Sequence, residues 1–194
     1  AAFERPNSYG AGTGVTYDPM ILRVVWENLA LQAGVQILYH SFCTDVVREG
    51  NRITGVIVDG KRGLMKLTAR VVIDCSGDAD VTHQAGAPYE KAGDIDPGQT
   101  LTTTFRMIHV DTERAKAFGK GAMWEAMETA NATGKYHLPR KEGSWHITTQ
   151  QGVVHTIMTR VADVDATDPV ALTAAEIEGR RQTMEYARFL RDYV

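Results

Sequence analysis

The segment Val71 to Pro88, VVIDCSGDADVTHQAGAP, decides how the chain of 194 residues is read. Val71-Val72-Ile73 is a short apolar run that ends in an acidic, glycine-containing turn and passes into residues of helical composition. That is the pattern of strand, turn and helix in a parallel α/β sheet. In such a sheet ligands gather beyond the carboxyl ends of the strands, where loops and helix amino termini offer unsatisfied N–H groups. Ser76 and Gly77 stand at that edge. Gly77 lets the main chain approach a ligand because it carries no Cβ, and Asp78 and Asp80 are placed to cap the next helix. Ala85-Gly86-Ala87-Pro88 closes it.

Upstream, Asp18 as N-cap and Pro19 at the first helical position open a helix that Gly34 ends. Its apolar stripes, Ile21, Val25, Leu29 and Leu22, Trp26, Ala30, make an arc wide enough to pack on a sheet. Val35 to Tyr39 reads as a short buried strand. Thr44 to Glu49, Arg52 to Asp59 and Leu64 to Val71 read as a meander joined at Gly50-Asn51 and Gly60 to Gly63. Gly10-Ala11-Gly12-Thr13-Gly14 has neither the preceding strand nor the third glycine of a dinucleotide fingerprint, so a loop is expected.

Downstream, Tyr89 to Gln99 is polar and broken by glycine and proline, and divides the chain into domains 1–90 and 91–194. Thr100 to Val110 reads as a strand carrying Arg106. Thr112 to Phe118 and Ala122 to Ala132 read as helices broken at Gly119-Lys120-Gly121. Trp145 to Thr149 and Val153 to Val161 read as a hairpin. A last helix begins at Asp168-Pro169, with a capping box at Thr173 and Glu176 and an apolar stripe of Ala174, Ile177, Met184, Ala187 and Val194. No capping residue follows Val194, so this helix is expected to run on.

Composition narrows the function. With 43% hydrophobic residues the chain can bury a sizeable core. A net charge of −3 provides no basic field for nucleic acid. No apolar run approaches a bilayer span, so a soluble, cytoplasmic protein is expected. Cys43 and Cys75 suggest no disulfide framework and are read as buried free thiols. Asp74, Ser76, Asp78 and Asp80 alternate like a calcium loop, yet Ala79 and Ala85 stand where glycine and glutamate are required. His40, His83, His109, His137, His146 and His155 show no zinc spacing, and no metal site is expected. His146 and His155 flank the hairpin turn and could meet across it. Arg106 and Arg160 are candidate clamps for a carboxylate, since a guanidinium binds one in a two-point fork; surface ion pairs are the alternative. With His155 they are the candidate catalytic residues, and a catalytic acid or base cannot be singled out.

The run Ile73-Asp74-Cys75-Ser76-Gly77-Asp78-Ala79-Asp80 resembles the "IDATGDGD" turn of FAD-dependent oxidoreductases with two dinucleotide-binding domains. Gly34 to Tyr39 through Gly50 to Val56 and Asp165 to Arg181 resemble the family's preceding strand and hairpin and its later part. The resemblance implies α/β plus α+β architecture. The outer part of a Rossmann-like FAD domain, as helix, strand, β-meander and strand, would precede a substrate or cap domain with an antiparallel sheet and helices. It implies FAD contacts at Cys43 (through its backbone), Ser76, Gly77, Asp78 and Asp80. It also implies a small, oxygen-rich or acidic substrate that gives electrons to the flavin. The GxGxxG segment and a flavin-closing carboxyl-terminal segment are missing, so an internal fragment that does not retain FAD alone is expected. A homo-oligomer stays open. The alternatives are a non-catalytic α/β binding or assembly module and, more weakly, a magnesium-dependent phosphotransferase using Asp74 and Asp78.

Overall fold

In the computed structural model, which describes residues 2–6 and 13–194, the chain falls into two compact units. One joins Ala1–Val25 to Ile95–Val194, and the other is Trp26–Asp94, so the amino-terminal residues group with the later part of the chain. Strands β1 (Phe3–Pro6) and β2 (Thr13–Thr16) pair antiparallel. Of the expected loop, Gly10 to Gly12 lie outside the described residues, and Thr13 and Gly14 open β2.

Helix α1 (Pro19–Gln32) starts where Asp18 Oδ1 accepts from Met20 N at 2.9 Å. It ends on Gly34 at φ 75°, with Val35 N donating to Ala30 O and Gly34 N to Leu31 O, each at 3.0 Å. This is the left-handed turn that only glycine adopts without strain. The expected packing of α1 on a sheet does not occur among the described residues: Ile21, Trp26 and Leu29 are 59%, 64% and 51% exposed. Nor do the two segments expected to form that sheet become strands. Residues 35–39 and 71–73 have no ladder partner among the described residues, and Val71 and Ile73 are exposed. A strand exists only where a neighbour takes its N–H and C=O groups, and local sequence cannot supply that neighbour.

The meander forms as read. Strands β3 (Phe42–Glu49), β4 (Arg52–Gly60) and β5 (Gly63–Thr68) pair antiparallel in sequence order, and β5 stops at Thr68, short of the expected Val71. Gly55 is required: a Cβ there would stand 2.3 Å from Leu67 O. Helix α2 (Asp80–Gln84) follows, and Arg48 Nη1 donates to Ala85 O at 2.5 Å, tying β3 to its end.

In the other unit come β6 (Phe105–Met107), α3 (Thr112–Ala132), β7 (Ser144–Ile147), β8 (Val154–Ile157) and α4 (Pro169–Tyr193). The sheet order is β6-β8-β7, all antiparallel, as expected for this half. Gly119 breaks α3 with φ 76° and ψ 164° at the predicted place. Helix α4 starts at Asp168-Pro169 as read, but without the expected capping box and with a different buried face. Asp168 caps it by accepting from Val170 N at 2.9 Å, while Thr173 Oγ1 donates to Pro169 O and Glu176 pairs with Arg180, so no capping box forms. Ile177 and Met184 of the predicted apolar stripe are exposed; Ala175, Gly179, Gln182, Tyr186, Phe189 and Leu190 are buried instead. Small residues set this choice, because Gly179 lets α4 close on Thr103, where a Cβ would meet Oγ1 at 2.1 Å. Tyr186 and Phe189 join Met123, Met127, Ala130, Leu138, Met158 and Leu190 in the core.

The architecture mixes helices with antiparallel sheets, consistent with an α/β fold in its broad sense; among the described residues no parallel strand pair of a Rossmann-like sheet forms. No helix among the described residues is long and apolar enough to cross a membrane.

Candidate functional site

The turn after Ile73 is organised by Asp74. Its Oδ1 accepts from Ser76 N at 3.1 Å and Ser76 Oγ at 2.7 Å; its Oδ2 accepts from Thr82 N at 2.9 Å and Thr82 Oγ1 at 2.8 Å. Ser76 Oγ in turn accepts from Asp80 N at 2.8 Å. These donors, the Ser76 hydroxyl first, hold the Asp74 carboxyl far below the ordinary carboxylate range. Asp74 and Ser76 therefore serve the start of α2, which corrects the expected capping by Asp78 and Asp80. Ala79 takes the N-cap position in the left-handed region, φ 59°, with no side-chain cap.

This arrangement decides what the turn can offer. A carboxylate has about four lone-pair directions, and those of Asp74 are taken by its own loop, which leaves a magnesium-ligand role for Asp74 without an acceptor. Among the described residues no group of three or more His, Cys, Asp and Glu could hold a metal ion. Ser76 is likewise engaged as donor and acceptor. Gly77, at φ 99°, has nothing within 4 Å of where a Cβ would stand, and Asp78 is exposed. The free features are open space over Gly77 and the carboxylate of Asp78. Three aspartates in seven residues repel a phosphate but can accept from hydroxyl groups. Cys43 lies one residue into β3, at a bulge between Cys43 and Asp45, with Sγ donating to Asp45 O at 3.7 Å. Cys75, expected to be buried, is exposed.

In the other unit, register places the remaining candidates. Arg106 opposes His155 across β6 and β8, and His155 opposes His146 across β8 and β7, so the three share one face of the sheet. The flanking rows, Phe105-Thr156-Trp145 and Met107-Val154-Ile147, alternate to the opposite face. Arg106, His146 and His155 line a cavity of about 350 Å³ together with Tyr17, Asp18 and Thr148. Burial, with the neighbouring Arg106 charge second, pushes the His155 imidazole below its ordinary value, so it is neutral at neutral pH. Arg160 is not among the residues lining this cavity. Its backbone is held by Gln182, which accepts from Arg160 N at 2.8 Å and donates to Arg160 O at 3.0 Å. Sequence reasoning missed Asp74 as organiser, although an Asp two residues before Ser is a recurrent turn signal. It also missed Tyr17, which no local pattern marks.

The sequence profile of one protein family, described as FAD dependent oxidoreductase, matches residues 2–194. No curated protein and no solved structure matches the chain.

Proposed function

The chain belongs to the FAD dependent oxidoreductase family, and from that premise we propose that it serves a flavin-dependent oxidation or reduction of a small, oxygen-rich or acidic molecule. Bound FAD supplies the electron-accepting chemistry; the protein supplies position and electrostatics. In this reading Ser76, Gly77, Asp78 and Asp80, with the main chain at Cys43, face the cofactor. The acidic turn suits hydroxyl groups of the cofactor rather than its phosphates, because its carboxylates accept from O–H and repel anions.

The observation that carries the reading is the family match over residues 2–194. The turn fits it, because Asp74 fixes its shape from within and the Asp78 carboxylate is left exposed. Arg106 and His155, side by side across the sheet, support the substrate half of the reading.

The test is FAD occupancy of the purified protein that carries these residues, read from the flavin absorption bands. Asp78→Ala, which removes the exposed carboxylate and leaves the φ 99° of Gly77 undisturbed, is expected to lower occupancy several-fold with the circular dichroism spectrum unchanged. Where these residues are carried together with a GxGxxG segment, a protein that takes up no added FAD, or an Asp78→Ala variant that holds it as well as the parent, overturns the assignment.

A further inference from the structure

The row Arg106-His155-His146 is an unusual thing to leave on a sheet. Directly opposed residues of an antiparallel pair stand about 5 Å apart at Cα, so a proton on His155 would set a second cation beside Arg106, which disfavours it unless an anion is present. Among the described residues no salt bridge to Arg106 forms. The residues facing His155 come from every element around it. Arg106 stands on β6 and His146 on β7, and Tyr17 and Asp18 come from the segment leading into α1. Among the described residues Asp18 is the one carboxylate lining the cavity, and it is committed to the start of α1 through Met20 N. Val15, Ile147 and Ile157 supply apolar wall.

At neutral pH Arg106 is the permanent cation of this cavity, beside a neutral His155 and with the Asp18 carboxylate held by its own helix start, which matches a single carboxylate better than a phosphate dianion. The apolar wall suits a short carbon skeleton. We propose that the cavity is a binding site for a small organic carboxylate, with Arg106 taking both carboxylate oxygens and His155 providing an adjoining N–H group. The inference deepens the substrate half of the reading above and uses no flavin, so the two fail separately.

Protonation must couple to such binding. An anion seated beside His155 favours its charged form, so affinity rises as pH falls through its titration, and the bound anion raises its titration midpoint in return.

The test follows the imidazole proton resonances of His146 and His155 in the full chain of 194 residues while butyrate is added, with uncharged butyramide as the comparison. Butyrate is expected to shift both saturably, more tightly near pH 6 than near pH 8, and butyramide not at all. Arg106→Gln is expected to weaken butyrate by at least about tenfold, the loss of one charge-assisted contact. Arg106→Lys should fall between, and Lys116→Gln, on an exposed ion pair elsewhere, should match the parent. Because Arg106 is exposed, its substitution should leave the imidazole spectrum of the ligand-free protein folded. An equal response to butyramide, no saturable shift, or an Arg106→Gln variant binding as the parent does would overturn the site.

Discussion

Asp74 shows what one side chain can fix. Its folded-state pKa is depressed by hydrogen bonds from Ser76 and Thr82, so its contribution is fully present above the ordinary aspartate value, about 4, and disappears only as pH falls well below it. Asp74→Asn should therefore lower the melting temperature at pH 7 and at pH 5 alike, the gap to the parent closing as acid protonates the carboxyl. A gap that is constant down to strong acid would mean that shape rather than charge is at work. Gln182 fixes a different place. It is 3% exposed, and its amide pairs with both backbone groups of Arg160. Gln182→Leu keeps the volume but orphans those two groups, a cost of about 1 to 3 kcal/mol each if they remain buried. Denaturant unfolding should show the loss with an unchanged m-value.

Among the elements, those legible in the sequence are helices, whose hydrogen bonds close within them, and strands whose partner follows across a short turn, as in the β3-β4-β5 meander. The break of α3 at Gly119, the Asp18-Pro19 and Asp168-Pro169 helix starts and the glycine stop of α1 all appear where local chemistry placed them. What failed needed a partner remote in sequence. Residues 35–39 and 71–73 have strand composition and, among the described residues, no strand beside them. The buried face of α4 was misread because two of its positions, Gly179 and Gln182, are not apolar. For the same reason Arg106 and His155 could be named from sequence, but their meeting rests on strand register. Two glycines separate packing from propensity. Gly179→Ala should destabilise by about 1 to 3 kcal/mol through the clash with Thr103. Gly121→Ala, with nothing within 4 Å of its Cβ and an ordinary φ, should stabilise by about 0.4 to 1 kcal/mol. Thermal unfolding of the pair decides whether the close approach of α4 is real: a neutral Gly179→Ala would deny it.

At the scale of the whole molecule, apolar burial is divided unevenly. Val58 is the one large apolar side chain buried in Trp26–Asp94 among the described residues, whereas the other unit encloses Met123, Met127, Leu138, Met158, Tyr186, Phe189 and Leu190. In Trp26–Asp94 the side chains of Trp26, Phe42, Leu64, Val71 and Ile73 are exposed by 64% or more. Burial is the main favourable term in folding, and local opening free energy follows the density of buried contacts. Amide hydrogen exchange of the chain should therefore resolve two classes. The amides of β8, the second half of α3 and α4 should exchange slowest, through global unfolding, with their rates tracking denaturant. Those of β3, β4 and β5 should exchange faster, through an opening that leaves the other class protected. The meander still has ladders along its length, so its amides should remain slower than residues 71–73, which join no ladder among the described residues. A single protection level across both units would mean that they open together and that the division of burial does not govern stability. Burial of Val71 and Ile73 by a neighbouring strand in a flavin-loaded preparation would reverse the order at that segment. The exchange rates of residues 71–73 with and without FAD thus report whether the apolar run completes a sheet when the cofactor is held.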